Sequence, residues 1–253
     1  SSGSDHAFLI DQVADCRRRR GANERNIEVS RRVGLVRFAP TDQVAIVLDA
    51  IPKDPADQVP VRRLEAARWG LVPSWAKDLK TGVTAINARI ETLTEKKHFS
   101  TAVRKRRALV PATGYYEWHT VDGVKTPHFI HLPDGELLVF AGLYEWWRNP
   151  AAGDDSPDKW VLSTTIITRE ATGALRGIHD RMPVFLQPDV IDDWLDPHEN
   201  DPTGLLDAIS AGGIEVDVRR GQTGGAVARC AGHDVAAELA EQQAVDDDTW
   251  AKI

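Results

Sequence analysis

Thiols are almost absent from this chain of 253 residues: Cys16 and Cys230 are its two cysteines, far apart in sequence. A disulfide framework and a cysteine-rich zinc site are excluded on that count, and reduced, buried thiols are expected instead. Long apolar runs are missing as well. Hydrophobic residues make up 42% of the sequence but are interspersed with 27% charged ones, and no stretch approaches the roughly 18 residues that a membrane span needs. No basic leader followed by an apolar stretch and a small-residue cleavage site opens the sequence, so a cytoplasmic protein is expected, with no membrane partner. Common catalytic signatures are lacking too: there is no Gly-x-Ser-x-Gly elbow, no phosphate loop, no Gly-x-Gly-x-x-Gly and no His-Glu-x-x-His. The reaction classes that depend on them lose their support.

Positive charge is in deficit. The net charge is -7, which taken alone disfavours a general nucleic-acid binder. Much of the imbalance sits in an acidic C-terminal segment, 234–253, where Asp234, Glu238, Glu241, Asp246, Asp247 and Asp248 precede the first basic residue. Basic clusters remain at Arg17–Arg20, at Arg62-Arg63 and at Arg104–Arg107. They leave room for a local cationic groove, although a solvated surface explains each of them equally simply.

The pattern of apolar residues predicts one α+β domain over 1–253, built on a mostly antiparallel sheet or open barrel flanked by helices. Leu9, Val13 and Cys16 recur at helical spacing behind a Ser4 or Asp5 cap, which predicts an N-terminal helix. Val44 to Leu48 and Ala67 to Val72 read as strands, with a Pro- and Asp-rich loop between them. Asp122-Gly123 and Pro133-Asp134-Gly135 punctuate three consecutive antiparallel strands, Tyr115 to His119, Thr126 to His131 and Leu137 to Leu143. Lys159 to Thr168 and Met182 to Leu186 are further strands. Helices are expected at Pro188 to Leu195, Gly204 to Ser210 and Asp234 to Ala244. A monomer is the expected state.

Several polar residues fall where the chain reads as strand or strand end. Glu117, within Gly114-Tyr115-Tyr116-Glu117-Trp118, alternates onto the face of Tyr115. It is either solvent-facing or held in an apolar pocket where it can exchange protons. His179 lies between Ile178 and Asp180-Arg181, where an imidazole beside a carboxylate and a guanidinium can move protons or simply mark a surface turn. Asn87 and Arg89 share one face of an extended segment and can hold a phosphate or sugar, or serve structure alone. His119, His128 and His131 lie close in sequence without a carboxylate or thiol at ligand spacing, so neither a metal nor a cofactor is expected.

Five stretches in this order resemble the SOS response-associated peptidase family, the abasic-site processing proteins. They are Arg37 to Thr41, Trp69-Gly70-Leu71-Val72-Pro73-Ser74-Trp75, Ile86-Asn87-Ala88-Arg89-Ile90-Glu91-Thr92, Val110 to Trp118, and Ile178-His179-Asp180-Arg181-Met182-Pro183. The resemblance implies an enzyme of the DNA-damage response whose partner is single-stranded DNA carrying abasic sites. Its residue-one cysteine would close a thiazolidine on the ring-opened sugar, with a possible autopeptidase step that exposes it. By motif, Asn87, Glu117 and His179 would be catalytic. Arg89 and Arg181 would hold phosphates, Trp75 and Trp118 would stack on bases, and Thr168 would add a polar contact. The family begins Cys-Gly-Arg, whereas this sequence begins Ser1-Ser2-Gly3-Ser4-Asp5, so the cysteine is expected ahead of Ser1. The alternative expectation is a non-covalent single-strand-binding homologue without the nucleophile.

Overall fold

A computed structural model describes residues 9–15, 33–54, 58–133 and 135–220. In chain order its strands are β1 (Leu9–Asp15), β2 (Val33–Phe38), β3 (Gln43–Ala50), β4 (Val61–Trp69), β5 (Asn87–Arg89) and β6 (Arg107–Ala112). There follow β7 (Gly114–Val121), β8 (Val124–His131), β9 (Leu138–Arg148), β10 (Trp160–Glu170), β11 (Arg181–Pro183) and β12 (Asp217–Arg220). Three short helices accompany them: α1 (Ala102–Lys105), α2 (Ile191–Leu195) and α3 (Thr203–Ala211).

Five strands close into a barrel. β4 pairs with β3, β3 with β6, β6 with β9 and β9 with β10, all antiparallel, and β10 returns to β4 in parallel. Closure leaves no exposed edge along the ring, and the β-branched and aliphatic residues of these strands fit a pleated surface buried on one side. Val44, Ile46, Trp69, Val110, Phe140 and Ile166 form one cluster, each 0% exposed. Every such side chain contributes about 1.5–3 kcal/mol by leaving water. A second sheet, ordered β12-β8-β7-β1-β2, adds Tyr115 and Ile130 to the same cluster. The helices cover the other side, where Val103, Ile191, Trp194 and Ile209 pack with Leu109, Ala141 and Leu143.

The expected architecture of an antiparallel sheet or barrel with flanking helices is the one observed. The strand expected at Ala67 to Val72 is Val61–Trp69, the strands β2, β6 and β12 are additional to those expected, and one element differs in kind. Residues 9–15 form a strand rather than a helix, pairing Ile10–Asp15 with Val33–Phe38 and Leu9–Asp11 with Gly114–Tyr116. The spacing of four between Leu9 and Val13 fits both the helical period and the strand period of two, and two partner strands decide between them. Ser4, Asp5, Cys16 and the helix expected at Asp234 to Ala244 lie outside the described residues.

Among the described residues, part of the basic clusters is spent on structure. Arg62 is ion-paired to Asp49 and Asp192, and Arg106 to Glu145 at 2.6 Å. Arg107 is 2% exposed. Its guanidinium donates to the carbonyls of Trp194 at 2.6 Å, Val103 at 3.0 Å, Arg104 at 2.8 Å and Glu199 at 3.2 Å, and to that of Asp196. It thereby ties α1 and α2 to β6.

Candidate active site

The motif segments converge on β10. After β4 the chain turns at Gly70, whose φ of +128° lies in a region that side chains rarely adopt. A Cβ there would stand 2.6 Å from the Gly82 carbonyl oxygen. This close crossing lets Gly70 N–H donate to Thr164 O at 2.8 Å, Leu71 N–H to Ala85 O at 3.1 Å and Val72 N–H to Ser163 Oγ at 2.9 Å. Trp69 Nε1 donates to Ile86 O at 2.9 Å. The stretch Ile86–Arg89 is thus delivered to β10 as β5, with Asn87 opposite Ile166 and Arg89 opposite Thr168. On the far side of the same strand, β11 pairs Thr168 with Pro183 and Glu170 with Arg181.

A cleft of about 630 Å³ opens at this corner, and Arg89, Glu91, Glu170, Arg176, His179, Asp180 and Arg181 contribute to its walls. Three residues singled out in the sequence, Arg89, His179 and Arg181, therefore share one cavity. Asn87 is half-buried behind them, and its Oδ1 is buried with no hydrogen-bond partner among the described residues. A buried acceptor left without a donor carries a desolvation cost that an incoming N–H or O–H can relieve. Thr168 is 4% exposed, and its carbonyl accepts from the Arg181 guanidinium at 2.8 Å.

Arg181 is committed to a protein partner. It makes a two-pronged pair with Glu91, at 2.8 and 2.9 Å. Partial burial works to raise the Glu91 carboxyl, but the hydrogen bonds from Arg181, a backbone amide and the charges of Arg181 and Arg89 prevail and hold it below the usual carboxylate value. His179 is anchored through its ring: the Arg181 backbone N–H donates to Nδ1 at 3.0 Å, and the Asp180 carboxylate lies 3.1 Å from the same atom.

Glu117 stands on β7, in the other sheet, and does not line the cleft. The two environments open to it in the sequence resolve in favour of burial: Glu117 is 6% exposed, on the face of Tyr115, itself 1% exposed. Tyr115 packs on Phe140 and Phe185 and shares a cluster with Ile86, Leu175 and Met182, which links this face to the core under the cleft. Burial, followed by the charge of Glu117, pushes the Tyr115 phenol well above its ordinary range. His128 is the cross-strand partner of Glu117, and its ring lies 5.8 Å from that of His119. The first described residue, Leu9, stands opposite Tyr116. Leu9 of β1 therefore pairs with the neighbour of Glu117 on β7.

The tryptophans lie apart from the cleft. Trp75 is 52% exposed, with the Lys97 ammonium 5.2 Å from its ring and His98 against its edge. Trp118 is half-buried. Among the described residues no cluster of three or more His, Cys, Asp or Glu is arranged for a metal ion, and no helix is long and apolar enough to cross a membrane. Reading the sequence missed Glu91, Glu170 and Arg176 as parts of the cleft. It also missed the Glu117–His128 pairing, which the Asp122-Gly123 turn could have supplied, because a two-residue hairpin fixes its own register.

Comparison with known proteins gives this geometry its context. Abasic site processing protein YoqW of Bacillus subtilis (strain 168) is 43% identical over 144 residues, covering 56% of this chain and 62% of that protein. Abasic site processing protein HMCES of Xenopus tropicalis is 34% identical over 157 residues, covering 53% and 45%. The chain thus spans less than two thirds of the length of these relatives. Among solved structures, a protein from Bacteroides thetaiotaomicron superposes with a TM-score of 0.60 at 22% identity, covering 74% of this chain and 78% of that one. A phage-related protein from Bordetella bronchiseptica gives a TM-score of 0.55 at 26% identity, covering 74% and 81%. The family model described as SOS response associated peptidase (SRAP) matches residues 9–218, and the chain belongs to that family.

Proposed function

We propose that this protein recognises abasic sites in single-stranded DNA and captures them covalently through a cysteine at its mature amino terminus. The observation that carries the reading is the burial of Glu117 on β7, the strand that pairs with β1. A carboxylate largely withdrawn from water, within a family of abasic-site proteins, is suited to moving protons in the capture reaction. The names of the relatives, abasic site processing proteins, supply the substrate class.

The chemistry balances without an oxidant or a metal. The amine of the cysteine adds to the aldehyde of the ring-opened sugar and expels water to give an imine. The thiolate then adds to the imine carbon while the nitrogen takes a proton, closing a five-membered thiazolidine. The second step is fast because both nucleophiles belong to one residue. Glu117 assists opening of the sugar and moves the protons of imine formation, and His179 serves the sugar oxygens. Asn87, with its buried Oδ1 unpartnered, positions the amine or the sugar. Arg89 holds a flanking phosphate, and Arg181 adds a donor where Glu91 leaves one. Trp75 and Trp118 offer faces to splayed bases, and Thr168 supports the corner through its carbonyl. Acting on DNA places the protein at the nucleoid, as a monomeric domain.

Denaturing electrophoresis tests the proposal: the protein with its native amino terminus is incubated with a single-stranded oligonucleotide bearing one abasic site. A shifted band that survives heat and detergent, and that vanishes when the terminal cysteine becomes alanine, is the expected result. A complex in native gels with no covalent band would reduce the protein to a recognition module.

A further inference from the structure

The loop between β10 and β11 holds its backbone firmly and one of its side chains loosely. Ala171 N–H donates to Asp180 O at 2.9 Å and closes the base of the loop. Thr172 N–H donates to Met182 Sδ at 3.3 Å. Gly173–Gly177 form a single helical turn. Leu175 buries itself in the core from that turn, and its carbonyl accepts from Ile178 N–H at 2.9 Å and His179 N–H at 3.1 Å. The next residue, Arg176, lines the cleft. Its side chain is 69% exposed, against 22% for that of Arg181 in the same cleft. Its Nη2 lies 3.5 Å from Glu170 Oε1, well beyond the roughly 2.7–2.9 Å of a tight guanidinium–carboxylate bond, and Glu170 is itself 76% exposed. Its Nε reaches Ala171 O at 3.4 Å. Arg181, by contrast, has both terminal nitrogens on Glu91 and one of them on Thr168 O as well. A long, exposed ion pair contributes little stability, so exchanging Glu170 for a phosphate costs Arg176 little. Withdrawing Arg181 from Glu91 breaks a two-pronged bond.

We infer that Arg176 is a phosphate-binding residue of the cleft, and that Glu170 is the partner it leaves when a single strand enters. The inference rests on the reading that this cleft receives single-stranded DNA, and it adds to that reading a residue outside the five motif stretches. The fixed turn sets where the guanidinium starts, and its planar fork matches two oxygens of one phosphate. Glu170 gives the site a built-in competitor. A strand that offers only its backbone must displace a carboxylate to be held there, which keeps this anchor weak for undamaged DNA. Arg181 meanwhile retains Glu91 and keeps β11 in place beside β10.

Fluorescence anisotropy of a labelled, undamaged oligothymidine reads this contact apart from the capture chemistry, because the strand has no aldehyde and binds reversibly. One phosphate contact on a single strand contributes about 0.7 to the salt slope. Arg176→Gln is therefore expected to weaken affinity about eightfold at about 50 mM salt and about threefold at about 200 mM. Arg176→Lys keeps the charge without the fork, and is expected to restore the slope and most of the affinity. Glu170→Gln is expected to tighten binding about two- to fivefold, the size of an exposed ion pair. In the Arg176→Gln background the same change should have under about 1.5-fold effect, because the partner it frees is gone. A slope unchanged in Arg176→Gln, or one that Arg176→Lys does not restore, overturns the assignment of Arg176. An equal effect of Glu170→Gln in both backgrounds overturns the role of Glu170. A wild type that binds no single strand overturns the inference together with the DNA reading. Binding with the expected slopes but no crosslink to an abasic strand would sink covalent capture alone.

Discussion

At the scale of single residues, two buried carboxylates face opposite demands. Glu117 is 6% exposed beside Tyr115, and the proposed capture reaction would ask it to gain and lose a proton. Glu117→Gln keeps the shape and removes that ability. Crosslinking should fall by about 10²–10⁴-fold, the usual worth of a general acid–base group, with the urea midpoint little changed. A loss smaller than threefold on the denaturing gel would assign proton transfer elsewhere. Glu145, also 6% exposed, is a structural case. Burial raises its carboxyl above the ordinary 4.5, and the charge and hydrogen bond of Arg106 only partly offset this. A carboxyl that is harder to ionise when folded leaves the folded state binding more protons than the unfolded one. Stability from this group is therefore highest at acid pH and declines as pH rises from 4.5 through the raised folded value. Glu145→Gln should flatten that decline in urea midpoints measured between pH 4 and pH 7, and an unaltered slope would show that the Arg106 pair cancels the burial cost.

At the scale of elements, the site depends on a backbone crossing that the sequence marks only by two glycines. Gly70→Ala places a Cβ 2.6 Å from Gly82 O at a φ of +128°, a clash with backbone that no rotamer relieves. The expected loss is about 2–4 kcal/mol in urea unfolding, because both strain and displaced packing contribute. β5 would shift with it, so crosslinking should drop further than stability alone explains. The β7–β8 hairpin and the barrel strands β3, β9 and β10 were legible because local signals write them, whereas β6 and most of β4 were not: Asp122 and Gly123 both take positive φ, 49° and 79°, as a two-residue turn requires. The short apolar stretch of β9 and the β-branched residues of β10 announce buried strands for the same reason. What the sequence could not reveal is pairing across distance. Glu91 and Arg181 are 90 residues apart, and nothing local to either predicts their bond. β1 was misread because helix and strand share the spacing of four, and only β2 and β7 resolve it. Candidate residues came one by one from motifs, whereas the contact between the Arg181 backbone and His179 needed the β10–β11 register.

At the scale of the whole molecule, charge sets how DNA can be held. The chain carries -7 overall, and its basic clusters are partly consumed: Arg62 by Asp49 and Asp192, Arg106 by Glu145, Arg107 by carbonyls. In the cleft, Arg181 is paired with Glu91, and Arg176 lies 3.5 Å from Glu170. A DNA binder that relied on the described cations of the cleft alone could not release many counterions. Each phosphate neutralised on a single strand steepens the dependence of log affinity on log salt by about 0.7, so the two or three cations at this corner predict a slope of about -1 to -2. Titrating a fluorescent abasic single strand across salt concentrations measures it, with a non-reactive terminal-cysteine variant keeping binding reversible. Arg89→Gln should make the slope shallower by about 0.7, the contribution of one phosphate contact. A wild-type slope steeper than about -4 would mean that cations outside the cleft dominate. Recognition would then belong to a wider surface, and the corner around His179 would be left with chemistry alone. A shallow slope assigns selectivity to the lesion itself, because a protein that gains little from phosphates must take its affinity from the sugar, the stacked bases and the bond it finally makes.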